Sequence, residues 1–147
     1  MSFTDGENVY FEPKFCALNY GLSINLIVHE LSHPNSNPLA IKLYENPNIY
    51  TAIEKNFSDK IEIQQSMGYG NIYTYIIELI NRANTISIMQ QFCSESEIQN
   101  CINYDKNTCR FDEIEIVIEI LENYKKGSYN NIMEFEPELE RLLIEKL

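Results

Sequence analysis

The chain's only two histidines lie four residues apart, in the segment His29-Glu30-Leu31-Ser32-His33. On a helix, residues four apart sit one turn apart on the same face, so both imidazoles can reach one Zn²⁺ ion. The intervening Glu30 would then act as general base toward a water whose pKa the metal lowers to roughly 7. The spacing therefore predicts a zinc site with a carboxylate placed for hydrolysis.

The segment from Ile27 to His33 resembles the active-site helix of the zincin metalloproteases. In the gluzincins, the zincins that it resembles most, the third metal ligand is a glutamate about 20 or more residues downstream on a later helix. The resemblance implies Glu54 in that role, with Glu45 as the second candidate. Since no further histidine is present, a tyrosine would have to stabilise the transition state.

Pro34, directly after the second histidine, predicts that this helix ends there. A proline disfavours helical geometry in the residue before it and clashes with the carbonyl four residues back, here that of Glu30. A metal ligand at a fraying helix end is held poorly. The alternative interpretation is an ordinary helix C-terminus, in which the imidazoles interact with the last turn and bind no metal.

Net charge is the second informative feature of the sequence. The chain has 22 acidic and 11 basic residues, which gives a net charge of −11. Such a charge repels nucleic acid and anionic membranes and attracts cationic proteins. We therefore expect a basic protein partner and neither nucleic-acid nor membrane binding. The alternative is that the acidity serves solubility alone.

Much of this acidity falls in the last third of the chain. Projected as a helix, residues 112–126 place four acids on one narrow arc, away from an apolar stripe. An arc of this kind suits the occlusion of a cationic active site, and the alternative is a plain solvated helix face. The candidate partner-binding residues are the four acids of this acidic arc, Asp112, Glu115, Glu119 and Glu122, together with Tyr129, Glu134 and Glu136.

The hydrophobic pattern predicts a mainly α fold: one compact helical domain, residues 1–147, of about five to seven helices. The clearest helix runs from Asn71 into the mid-80s, with apolar residues at three- and four-residue spacing. Residues 22–28 alternate in hydrophobicity and leave helix or strand open, so a small β element in the N-terminal half is possible. A similar alternation at 113–121 is assigned to helix.

Three sequence signals predict the starts of later helices. Ser94 to Glu97 form a capping-box pattern. Asp112 is expected to cap a helix that ends before Gly127. Pro137 suits the first turn of a last helix.

The remaining signals concern compartment and chemistry. We expect a cytoplasmic protein, because the N-terminus lacks a signal-peptide pattern and no apolar run approaches the roughly 20 residues of a membrane span. The four cysteines form no C-x-x-C pair and are expected to be reduced thiols. Phosphate-binding loops, a serine nucleophile elbow and a calcium loop have no match in the sequence.

The leading prediction is a non-enzymatic, cofactor-free acidic binding protein. In general character the chain is similar to bacterial polymorphic-toxin immunity proteins, including those of contact-dependent growth inhibition systems. That resemblance implies an inhibitor that occludes the active site of a basic toxin domain such as a nuclease. The alternative prediction is a small zinc metalloprotease with Glu30 as base and His29, His33 and Glu54 as ligands. An acidic adaptor or nucleic-acid mimic is a third possibility.

Overall fold

The computed structural model describes residues 2–4, 9–11 and 24–147, most of which are helical. Strands β1 (Ser2–Thr4) and β2 (Val9–Phe11) pair antiparallel. A π-helical turn follows the fifth helix and a 3₁₀ turn precedes the seventh, at Tyr104–Thr108 and Ile132–Phe135. The seven α-helices of the described residues are α1 (Ile24–Glu45), α2 (Pro47–Ser58), α3 (Ile61–Ser66), α4 (Ile72–Met89), α5 (Glu95–Asn103), α6 (Ile114–Lys126) and α7 (Glu136–Lys146).

The prediction of a mainly α, compact helical domain is confirmed. The segment 24–28 begins α1, and residues 114–121 lie within α6, so both alternating patterns are helical where they are described. No helix of the described part is both long and apolar enough to cross a bilayer.

Two of the three predicted helix starts are confirmed. Ser94 and Glu97 form the expected capping box at the start of α5, and α7 carries its proline in the first turn. The predicted cap of α6 is wrong, because the helix begins one residue later without a side-chain cap. Asp112 instead accepts a hydrogen bond from Nε of Arg110 at 3.1 Å.

Helix α1 contradicts the expectation that the chain leaves helical geometry after His33. It continues through Pro34 and Pro38 for 22 residues in all, so the histidine lies near its middle. The prolines remove two backbone donors, but the apolar face beyond them is completely buried and α1 packs along α4. Burial of this face offsets the cost of the interrupted hydrogen-bond ladder.

Helix α4 is the central element, because it contacts both α1 and α6. Asn71 caps it by accepting a hydrogen bond from the amide of Thr74. Its apolar face forms the core, and three polar side chains on an adjacent strip face α1 and the π-helical turn. Those three are Glu78, Asn81 and Arg82.

A buried ion pair joins α6 to the loop before α3. Lys60, whose side chain is fully buried, donates to Glu113 at 3.1 Å and to the hydroxyl of Tyr75 at 2.7 Å. The Tyr75 hydroxyl also bonds Glu113. Asn56 donates to the same carboxylate, so every charge in this network has a partner.

We expect Lys60→Met to lower the free energy of unfolding by about 3–5 kcal/mol, because it leaves Glu113 buried without its cation. Urea denaturation at pH 7 measures this loss. Lys42→Met is the matched control, because Lys42 pairs with Glu45 on the exposed surface and should contribute little. Equal losses in the two variants would contradict the prediction.

Candidate metal centre

Helices α1 and α4 bring two imidazoles and one carboxylate together. His29 and His33 lie one turn apart on α1, opposite Glu78 on α4. Nε2 of His29 is 3.5 Å from Oε2 of Glu78, and Nε2 of His33 is 3.8 Å from Oε1 of the same carboxylate. One candidate ligand atom from each residue lies within 4.8 Å of the other two.

The donor set and its spacing fit zinc. Two imidazole nitrogens and a carboxylate oxygen are a common ligand set for catalytic Zn²⁺, and tetrahedral bonds of zinc length place ligand atoms about 3.4 Å apart. The observed nitrogen–oxygen distances are close to that value. Oε2 of Glu78 is buried and has no hydrogen-bond donor among the described residues, so a cation at this point would provide the partner that it lacks.

The surroundings of the two histidines suit metal binding. Nδ1 of His33 lies 3.0 Å from Oδ1 of Asn37; because an amide oxygen only accepts, Nδ1 carries a proton, and in the neutral ring this leaves Nε2 with the lone pair that a metal binds. Burial, with smaller contributions from Arg82 and His33, lowers the pKa of His29 to about 3. His29 is therefore neutral at physiological pH.

Asn81 ties the two helices together beside the cluster. It is fully buried. Its amide nitrogen donates to the backbone oxygen of His29 at 3.0 Å and lies 3.1 Å from Nε2 of His33. Its amide oxygen accepts from Ser36 at 2.6 Å. These bonds fix the spacing of α1 and α4 at the level of the histidines.

Glu78 is a buried carboxylate with a cation nearby. Burial raises the pKa of its carboxyl group, while Arg82 and His33 act in the opposite direction. Nε of Arg82 lies 3.6 Å from Oε2 of Glu78, within ion-pair range but beyond a hydrogen bond. The positive charge of Arg82 thus favours the ionised form that a metal requires.

Two clefts border the cluster. One, of about 260 Å³, is lined by His29, Glu30, Tyr69 and Arg82. The other, of about 340 Å³, is lined by Tyr69 and Glu78 among others. Tyr69 therefore lines both clefts, and Glu30 lines the same cleft as His29.

Glu54, the third ligand implied by the sequence resemblance, does not take part in the cluster. It is exposed on α2 and accepts a hydrogen bond from the hydroxyl of Tyr50 at 3.1 Å. Glu45 is also exposed and pairs with Lys42. The carboxylate that α4 contributes is Glu78, which sequence reasoning missed. The sequence signal that could have identified Glu78 is that it is the one acidic residue of an otherwise largely apolar helix.

The acidic arc lies on the surface as predicted, but basic residues of the same chain neutralise it. Three of its four acids are exposed and Glu122 is half-buried. The four ion pairs are Arg110–Asp112, Lys106–Glu115, Lys146–Glu119 and Lys125–Glu122. The arc therefore presents less unpaired charge than its sequence indicates.

The remaining candidate partner-binding residues are partly engaged as well. Tyr129 is half-buried because its ring packs on Tyr124 and Phe135. Glu134 accepts hydrogen bonds from the backbone and side chain of Asn130. Glu136 is half-buried, and burial together with nearby Glu140 raises the pKa of its carboxyl group.

Comparison with known proteins gives a family but no activity. Searches of curated proteins and of solved structures found no significant match. A family model described as "Domain of unknown function (DUF4932)" matches residues 2–142. Since that match spans nearly the whole sequence, the chain belongs to the DUF4932 family.

Proposed function

We propose that this protein is a small zinc-dependent hydrolase that cleaves peptide bonds. The observation that carries the proposal is the convergence of His29, His33 and Glu78 beside a cleft that also exposes Glu30. Two imidazoles, one carboxylate and an adjacent second carboxylate are the parts that zinc-dependent hydrolysis requires. Peptide bonds are the substrate class implied by the resemblance of α1 to the zincin active-site helix.

Each residue of the site has a role in this proposal. When bound, zinc supplies a Lewis acid and lowers the pKa of water. Glu30 accepts a proton from the attacking water on its carboxylate and later passes it to the leaving amine. The Tyr69 hydroxyl donates a hydrogen bond to the carbonyl oxygen of the substrate as negative charge develops there.

The acidic arc supports the alternative of a toxin-binding protein less well. A basic partner would first have to displace Lys106, Lys125 and Lys146 from the acids they already pair with. Exchange of one ion pair for another yields little net free energy at an exposed surface. Inhibition of a basic toxin therefore stays a prediction that the surface contacts do not favour.

We expect the double variant Glu119→Gln and Glu122→Gln to keep zinc affinity and hydrolytic rate within about twofold of wild type, since exposed pairs contribute little. Zinc titration and peptide cleavage assays check this. The contrary outcome is a variant that no longer protects cells from a cognate toxin, even though its hydrolytic rate is normal. The acidic arc would then be a functional surface and the hydrolase proposal would be incomplete.

The direct test is metal-dependent cleavage by the purified full chain. The protein is stripped with a chelator, reloaded with one equivalent of zinc, and incubated with a mixed peptide library that is then analysed by mass spectrometry. We expect new termini only in the zinc-loaded sample. A protein that takes up no zinc, or that cleaves equally after chelation, would overturn the proposal.

A further inference from the structure

Arg82 is held by more contacts than a surface cation would be. Its side chain is 17% exposed, and Nη1 donates to Asp105 at 2.5 Å. Its guanidinium carbon lies 4.9 Å from the ring centre of Phe111 and 5.7 Å from that of Tyr69. A planar guanidinium packed against two rings and bonded to a carboxylate has its orientation fixed, which a lysine ammonium could not reproduce.

The second donor of this guanidinium reaches the metal cleft. Nη2 of Arg82 donates to the Tyr69 hydroxyl oxygen at 3.1 Å. Because that oxygen accepts from Arg82, the hydroxyl hydrogen can be donated to another acceptor, either nearby Glu78 or an oxygen of a substrate. Tyr69 follows Gly68, which has a φ of 90°, in the loop between α3 and α4. A loop residue of this kind needs side-chain contacts to fix its hydroxyl.

Asp105 has no role in the proposed chemistry except through Arg82. Its side chain is 8% exposed and lies in the π-helical turn between α5 and α6. Burial of a carboxylate is costly unless a cation compensates it, and the nearby cation is Arg82. Interruptions of π geometry within helical segments occur frequently at functional sites.

The geometry separates two possible tasks for Arg82. Its Nε is 3.6 Å from Glu78, too far for a hydrogen bond, and no acceptor among the described residues reaches it. Its well-formed hydrogen bonds go to Asp105 and Tyr69. Arg82 is therefore placed to orient Tyr69 more than to hold the candidate metal ligand.

We infer that Arg82, anchored by Asp105, is a positioning residue that holds the Tyr69 hydroxyl in the metal cleft as a donor to the reacting oxygen of the substrate. This inference rests on the proposed hydrolase function. It implies that Arg82 acts through Tyr69, so removing either residue removes the same interaction.

A double-mutant cycle on the zinc-loaded full chain tests this. The variants are Tyr69→Phe, Arg82→Lys and their combination. Arg141→Lys is the control, because the ion pairs of Arg141 within the described part of the chain are with surface acids of α7. Two dissociation constants are measured for each: that of zinc alone, by competition with a chelating dye, and that of acetohydroxamate on the zinc-saturated protein. Circular dichroism verifies folding, and Asp105→Asn is a second route to the same effect.

We expect each single variant to weaken acetohydroxamate binding by about tenfold, the effect of one hydrogen bond to a charged group. The double variant should bind no more weakly than Tyr69→Phe alone, because the two residues share one interaction. Zinc affinity should stay within about threefold of wild type throughout.

Two results would overturn the inference while leaving the hydrolase proposal intact. In one, the effects of Tyr69→Phe and Arg82→Lys multiply in the double variant. In the other, Arg82→Lys weakens zinc binding itself and leaves acetohydroxamate affinity unchanged at saturation. If wild-type protein takes up no zinc, the proposed function falls and the inference falls with it, before any variant is compared.

Discussion

Glu78→Gln should lower zinc affinity at least about 100-fold, more than the 10–100-fold cost of losing an outer-shell partner. The substitution keeps the size of the side chain but removes the negative charge that faces both imidazoles. Because Oε2 of Glu78 has no donor among the described residues, Gln breaks no hydrogen bond there and the fold should persist. Competition with a chelator of known affinity at pH 7 measures the change.

Glu54→Gln is the matched control for this experiment, because the sequence resemblance alone favoured Glu54 as the third ligand. Glu54 is exposed on α2 and contacts Tyr50. We therefore expect zinc affinity equal to that of wild type. If Glu54→Gln greatly lowered zinc affinity and Glu78→Gln did not, the packing of α1 against α4 would not be the arrangement that binds the metal.

The second large effect is expected from Glu30→Gln. Loss of a general base lowers the catalytic rate by roughly 10²–10⁴-fold. Zinc content should not change, because Glu30 lines the cleft beside the ligands and is not one of them. The turnover number of zinc-saturated protein on the best peptide from the library is the quantity to measure.

Glu45→Gln controls for the loss of one acid from the same helix. Glu45 ends α1 on the exposed surface and, among the described residues, forms an ion pair with Lys42 alone. The turnover number of Glu45→Gln should match that of wild type. Unchanged turnover in Glu30→Gln, with zinc fully bound, would remove Glu30 from the mechanism.

The part of the site that lies on α1 could be predicted from sequence because it depends on local geometry. Four-residue spacing on a helix places His29 and His33 on one face wherever the helix packs. The same local rules found the capping box at Ser94 and the amphipathic α4. They failed at Pro34, because a proline's local cost says nothing of the packing that compensates it.

Such local rules could not predict the third member of the cluster, Glu78. Glu78 is far from both histidines in sequence, and only the packing of α1 along α4 brings it near them. Family spacing favoured Glu54, which is on α2 instead. The available sequence signal was one acid within an apolar helix, followed by Asn81 and Arg82 on the same strip. That pattern indicates that α4 carries buried polar side chains with a functional role.

For the acidic arc, the sequence predicted which acids are exposed but not which of them are paired with basic residues. Helical projection correctly placed Glu115 and Glu119 on the exposed face of α6, opposite a buried apolar stripe. It could not show that Lys106 and Lys146, from other parts of the chain, pair with Glu115 and Glu119. Net charge from sequence thus overstated how much of the negative surface remains unpaired.

The most direct test of the central claim is X-ray absorption at the zinc edge of the loaded protein. We expect a shell of nitrogen and oxygen alone, at roughly 2.0–2.2 Å, with the scattering pattern of two imidazoles. Three described cysteines, Cys93, Cys101 and Cys109, are free thiols that could compete for the metal. A sulfur shell near roughly 2.3 Å, or a spectrum without imidazole scattering, would contradict the claim that His29, His33 and Glu78 form the zinc site.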